Sequence, residues 1–207
     1  MKNSSNVTVI LPTKNGQDRA QYILDNILAW NCPITVVVNK DRPEDAPLNL
    51  CGASVIYCPP NAGSVKALEL GIIYAETPYV VILNDDLEFT SRSNGWLDEI
   101  CRVYAENFGD GSAVVASNDD TFQGRIACFP LMARKFYLDH CYPAPYRSWL
   151  VDNEWTDKAK ALGVYAYAEN AFFKHLNIHG HDEAVFASDT ALHAARMNDF
   201  YANLRRT

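Results

Sequence analysis

The sequence is poor in the devices that most often announce a function. It contains no G-x-x-x-x-G-K-[ST], G-x-G-x-x-G, G-x-S-x-G or H-E-x-x-H. The phosphate loop, the dinucleotide turn, the serine-hydrolase elbow and the zincin helix are thereby excluded in their ordinary forms. Cysteine is sparse, and the six residues Cys32, Cys51, Cys58, Cys101, Cys128 and Cys141 stand singly. With no C-x-x-C pair they read as reduced, mostly buried thiols rather than a zinc ribbon or a redox couple. Basic residues are in deficit, 18 Lys+Arg against 25 Asp+Glu for a formal charge of −7. A nucleic acid chain is therefore not an expected partner, because affinity for one rests on neutralising its phosphates, whereas a small anion held locally is still allowed. No apolar run approaches the ~20 residues of a membrane span. The run at 7–11, which follows a polar start, is too short for a signal-peptide core. The expected location is cytoplasmic, a reading that leaves room for peripheral contact with a membrane-bound acceptor.

What is present is an alternation of short β-branched runs and helical patterns. At 207 residues the chain suits one domain that buries roughly 70% of its unfolded surface. Strands are expected at 7–11, 34–38, 54–58, 79–83 and 113–117, each a nearly continuous apolar run of the kind found in parallel sheets covered on both faces. Between them come a helical stripe through Ala20, Ile23, Leu24, Ile27 and Leu28, a helix face at Val65, Leu68 and Ile72 capped by Ser64, and a helix over 96–107. The regular βαβ order then breaks down. A strand at 125–129, a short helix near Arg134, a helix over 152–162 stopped by Gly163, a strand at 164–168 and a C-terminal helix carrying Met197, Phe200, Tyr201 and Leu204 complete the expectation. The fold class is α/β, a Rossmann-like, mostly parallel central sheet flanked by helices.

One strand end stands out. The run at 79–83 passes directly into Asn84, Asp85 and Asp86, and in open α/β sheets ligands bind beyond the carboxyl ends of the strands. Carboxylates there can hold Mg²⁺ or Mn²⁺, hard cations that bridge acidic side chains to substrate phosphates. Adjacent acids after a strand also serve as solvated turns and helix caps.

The order of motifs resembles the family 2 type of GT-A glycosyltransferases. The stretch 7–15, with Pro12, Thr13 and Asn15, is similar to that family's opening strand and nucleoside-contacting loop. Asn61, Gly63, Ala67 and Gly71 match an N-x-G segment. Asn84 to Asp86 resemble the N-x-D variant of the D-x-D motif seen in rhamnosyltransferase-like and galactofuranosyltransferase-like members. Residues 129–137 are similar to the stretch before the acceptor site, 151–163 to the acidic motif on a helix, and 173–175 to a late strand ending in a metal-binding His. The resemblance covers roughly 7–175. Asn39 and Lys40 stand where the family has an acidic pair, Glu69 where it has Asn, and Val151 where it has an acid.

The resemblance implies a single GT-A domain over 1–207, with a nucleotide-binding half at about 6–118, an acceptor half at about 119–178 and a helical tail at 182–207. It implies a metal-dependent, inverting transfer of a hexosyl or deoxyhexosyl group from a UDP-, dTDP- or GDP-sugar to a glycan-type acceptor hydroxyl. Asp86 and His175 would hold Mn²⁺ or Mg²⁺, with Asn84 or Asp85 assisting and His179 or His181 as substitutes for His175. Pro12, Thr13, Asn15, Asn39, Asp41, Asn61 and Lys66 would contact the donor. Asp152 would be the general base, although a position at the start of a helix also suits an N-cap. Glu154 is the alternative base. Asp152 and Glu154 together as a glycosidase pair fit poorly, since residues i and i+2 of a helix face different ways. Tyr146, Arg147 and Trp149 are either an acceptor platform or packing residues. Two rival readings are a catalytically silent glycan- or nucleotide-binding module and a sugar-phosphate nucleotidyltransferase, which would open with a Gly-rich phosphate loop that 12–16 lacks.

Overall fold

The computed structural model describes residues 4–14, 17–39, 50–59, 62–176 and 182–206. Asn15, Asp41, Asn61, His179 and His181 lie outside the described residues. In chain order the main elements are β1 (Val7–Thr13), α1 (Gln17–Ile27), β2 (Ile34–Val38), β3 (Ser54–Tyr57), α2 (Ser64–Tyr74), β4 (Tyr79–Ile82), β5 (Leu87–Glu88), α3 (Trp96–Phe108), β6 (Val114–Asn118), β7 (Leu131–Ala133), α4 (Arg134–His140), α5 (Val151–Ala161), β8 (Tyr165–Phe172), β9 (Lys174–His175) and α6 (Glu183–Leu204).

Seven strands form one sheet in the order β3-β2-β1-β4-β7-β6-β8. Neighbours pair in parallel except at β7, which runs antiparallel to both β4 and β6. Central strands β1, β2, β4 and β6 are buried at every position, while edge strand β3 is not. This is why the former read as unbroken apolar runs. Helices flank the sheet in the expected α/β arrangement, and α2 packs so close to it that a Cβ on Gly71 would stand 2.3 Å from Ile10 Cγ2.

The first strand runs two residues past the expected end, through Pro12. Proline in a central strand costs a ladder bond, but here the N position faces the side on which β4 has already finished. Leu83 N bonds Ile10 O at 2.9 Å, and the register of β4 with β1 stops at Ile10. On the other side Asn39 N still bonds Thr13 O at 2.9 Å.

Two local expectations are overturned. Residues 125–129 form no strand; their backbone is satisfied by side chains instead of a ladder, Ser117 Oγ donating to Phe129 O at 2.8 Å and Ala127 N donating to Thr156 Oγ1 at 2.9 Å. The strand in this region is the three-residue β7. Ser64 does not cap α2: Gly63 holds the cap position at φ 87°, and Ser64 Oγ donates to Ser148 O at 3.2 Å.

Candidate active site

The carboxyl ends of β1, β4 and β6 carry the polar side chains the sequence nominated, and one it did not. Thr13, at the end of β1, donates through Oγ1 to Asp85 Oδ2 at 2.7 Å, which fastens the turn after β4 to its neighbour strand. Arg19 of α1 fixes the same turn by its backbone, Nε to Asp85 O at 2.6 Å, with a second bond to Leu87 O. Asp85 and Asp86 are both buried.

From this turn the chain enters β5, which pairs antiparallel with β9 and sets Leu87 opposite His175. Leu176 N donates to Asp86 O at 2.8 Å. That two-stranded ribbon brings together residues far apart in the sequence, and His175 Nε2 lies 3.2 Å from Asp86 Oδ2. The opposite ring nitrogen, Nδ1, stands 3.4 Å from Asp119 Oδ2. Asp119 follows β6 and is 1% exposed. Its Oδ1 accepts the N–H groups of Phe122 at 2.8 Å and Gln123 at 3.1 Å, which winds the following loop around the carboxylate.

Burial alone would disfavour a charged imidazole. The two flanking carboxylates, Asp119 and Asp86, outweigh it and raise His175 to about 9. Asp119 shows the converse: burial acts to raise its pKa, but bonds from His175 and from the two backbone N–H groups hold it below the usual carboxylate range. The two carboxylates therefore stabilise the imidazolium between them. The cluster's carboxylate oxygens and imidazole nitrogen are donors that suit Mn²⁺ or Mg²⁺.

Asp152 lies beside Cys128, a neighbour of Asp119 and His175. It is the second residue of α5, and Leu150, at φ 66°, holds the cap position, so Asp152 is not the N-cap. Its Oδ2 is 3.6 Å from Cys128 Sγ. Thr156 ties α5 to the loop, donating to Asp152 O at 2.7 Å while accepting from Ala127 N. Burial pushes the Asp152 carboxyl above its ordinary range despite a bond from Asn153 N. Asp86, His175, Asp119, Cys128 and Asp152 thus form one chain of neighbours.

Other nominated residues lie elsewhere or are otherwise engaged. Glu154 faces away from this chain, bound by buried Lys158 and by the Arg196 guanidinium at 2.9 and 2.7 Å. These cations hold its carboxyl below the usual range against the opposing effect of burial, which leaves it a poor base. Lys66 pairs with buried Glu69, whose Oε1 also accepts Ala144 N at 3.0 Å. Asn39 is buried just beyond β2, and Asn84 is half-buried after β4. Tyr146 is 3% exposed and packs beside His193 as a core residue, not a platform. Trp149 is half-buried, edge-on to Phe186 of α6 at 6.2 Å. Gly63 meets the loop before α5 so closely that a Cβ there would stand 2.2 Å from Arg147 O.

The residue that the sequence reading missed had a signal. Asn118-Asp119-Asp120 repeats, at the carboxyl end of β6, the Asn84-Asp85-Asp86 triplet that follows β4. Cys128 had none, since only the fold of the loop carries it to the site.

No family model and no curated protein sequence matches the chain. Solved structures do match. The 1–349 fragment of S. aureus TarS is similar over 92% of this chain and 64% of its own, at TM-score 0.65 and 14% identity. Mannosyl-3-phosphoglycerate synthase from Rubrobacter xylanophilus is similar over 97% of this chain and 75% of its own, at TM-score 0.64 and 16% identity. The mannosyltransferase PcManGT from Pyrobaculum calidifontis, solved with GDP-Man and Mn²⁺, is similar over 99% of this chain and 66% of its own, at TM-score 0.64 and 16% identity. The chain thus spans less than two thirds of the TarS fragment. These likenesses establish the fold, a GT-A-like Rossmann architecture. No helix among the described residues is long and apolar enough to cross a membrane.

Proposed function

We propose that the protein is a metal-dependent, inverting glycosyltransferase of the family 2 type, which moves a hexosyl or deoxyhexosyl group from a nucleoside-diphosphate sugar to an acceptor hydroxyl. The observation that carries the reading is the pairing of Asp86 with His175 at 3.2 Å, at the end of β4, within one connected set of side chains that reaches Asp152. The GT-A-like fold supports it, as does the nucleotide-sugar and Mn²⁺ complex of a similar structure.

On this reading residues 6–118 bind the donor and 119–178 the acceptor. Pro12, Thr13, Asn39, Lys66, Asn84 and Asp85 would contact the donor, as would Asn15, Asp41 and Asn61. Asp86 and His175 would hold Mn²⁺ or Mg²⁺, which when bound offsets the charge that develops on the departing diphosphate. Thr13 and Arg19 keep the turn that carries Asp86 in place, so no rearrangement is needed as that charge appears. Asp152 takes the proton of the acceptor hydroxyl as the hydroxyl oxygen bonds to the anomeric carbon and the bond from that carbon to the diphosphate breaks. Attack opposite the leaving group inverts the configuration. The raised proton affinity of Asp152 suits a base, because a carboxylate with a higher pKa accepts a proton more readily.

The test is a thermal-shift screen of UDP, GDP, dTDP and CDP, each with and without Mn²⁺, on wild type and Asp86→Ala. A ligand at about 100 times its Kd stabilises by about 2.7 kcal/mol. One diphosphate should stabilise the wild type only with metal, and Asp86→Ala should lose the effect. Stabilisation without turnover on a broad acceptor panel would favour a binding module, and no stabilisation by any diphosphate would overturn the donor site.

A further inference from the structure

Beside its oxygen and nitrogen donors the site holds a sulfur, which Mn²⁺ and Mg²⁺ do not favour. Cys128 Sγ, a carboxylate oxygen of Asp119 and a ring nitrogen of His175 all lie within 4.8 Å of one another. Cys128 is 7% exposed and Asp119 1%. Asp119 Oδ2 and His175 Nδ1 are buried and face each other at 3.4 Å, with the Cys128 thiol beside them. From these observations we infer that Asp119, Cys128 and His175 form a second cation site, selective for a thiophilic divalent ion such as Zn²⁺ and distinct from the Asp86 side of the same imidazole.

Three features of the donor set support this inference. A thiolate favours Zn²⁺ strongly over Mg²⁺ or Mn²⁺, which prefer oxygen. Cys, His and Asp are all ordinary zinc ligands, and three protein donors leave the fourth tetrahedral position for water or for a fourth side chain. Bonds of about 2.0–2.3 Å bring tetrahedral ligand atoms to within roughly 3.8 Å of one another, so the longest present separation closes by about an ångström on binding. The ring also presents its two nitrogens to different partners, Nε2 to Asp86 and Nδ1 to Asp119. Hard and soft cations therefore compete for one imidazole from opposite edges. Asp152 Oδ2, 3.6 Å from Cys128 Sγ, lies beside the thiophilic position, and an ion there would draw electron density from the proposed base. Zn²⁺ is accordingly expected to suppress transfer at saturating Mn²⁺, a consequence that rests on the glycosyltransferase reading. The binding itself does not.

The experiment is titration of the full-length, metal-free protein with Co²⁺ under reducing conditions, followed by displacement with Zn²⁺. A sulfur-to-Co²⁺ charge-transfer band in the near ultraviolet is expected at one equivalent. It should vanish in Cys128→Ser, persist in Cys51→Ser and be abolished by Zn²⁺. Asp119→Asn should weaken Zn²⁺ by at least about tenfold, the loss that even an outer-shell change commonly causes. Absence of the band in wild type, or its survival in Cys128→Ser, would overturn the site. Should Cys128→Ser fail to fold, unchanged Zn²⁺ affinity in Asp119→Asn would do the same. The band reports on binding alone, so it survives even if no sugar is ever transferred.

Discussion

The two halves of the molecule hold the side chains of the candidate site and its surroundings by different means. Up to Asn118, Thr13, Asp85 and Asp86 are carried on the ends of buried parallel strands, and the positions follow from the sheet itself. Beyond Asn118, apart from His175 on its two-stranded ribbon, the loops and α5 are positioned by buried charge. Asp119 winds a loop around its own carboxylate, Glu154 binds Lys158 and Arg196, and Asp189 of α6 accepts the backbone N–H groups of Arg147, Ser148 and Trp149 at 3.1, 3.0 and 2.9 Å. The difference teaches that a sheet edge places residues through hydrophobic burial that tolerates neighbours, whereas the second half depends on single polar partners whose loss exposes an uncompensated group.

The comparison can be broken most sharply at the site. Asp86→Ala should reduce transfer by at least about 10²-fold, and Asp152→Asn by about 10²–10⁴-fold. Diphosphate binding should be lost in the first and kept in the second, which steady-state kinetics and the thermal-shift screen together resolve. In the polar half, Glu154→Ala leaves Lys158 and Arg196 facing each other in a buried setting, and should cost about 3–5 kcal/mol in urea unfolding. A smaller cost, about 1–3 kcal/mol, is expected for Asp189→Asn, with a raised KM for acceptor if the loop before α5 lies on the acceptor path. In the sheet half, Gly71→Ala forces a methyl against Ile10 and should cost about 1–3 kcal/mol without changing KM for either substrate. Smallest of all is Lys135→Ala on exposed α4, whose pair with Asp139 should be worth at most about 0.5 kcal/mol.

Acid should separate the halves as well. Because Glu154 is held below its ordinary pKa in the folded protein, its contribution is fully present above the unfolded carboxylate value and is lost as pH falls through the folded one. Wild type should lose stability on acidification more steeply than Glu154→Gln. Parallel urea midpoints from pH 7 downward would measure the gap, and equal slopes would show that the cluster does not hold the second half.

This contrast also explains what could be read before the structure. Strands β2 and β4 fall within one residue of where their apolar runs put them, because burial on both faces writes itself into consecutive residues. Asp86, His175 and Asp152 were nominated by motif order, and the structure places all three in one connected set. Asp119 repeated the triplet of its neighbour strand and was still passed over. The roles of Arg196 and Asp189 were out of reach, because single contacts between residues 40 and 42 positions apart leave no periodicity to detect. The three-residue β7 was missed for a related reason: a strand that short carries no pattern of its own, and its place is set by β4 and β6 on either side.

The β5–β9 ribbon has a consequence for how the site comes into being. Asp86 and His175 are 89 residues apart, and the ribbon that joins them is two residues long on each side. Such a pairing has little to hold it until the strands and helices between its ends have closed the loop. Proximity of Asp86 and His175 should therefore be among the last contacts to form during refolding. A chain paused on the ribosome before Lys174 can pair β1 through β4 while β5 still lacks its partner strand β9.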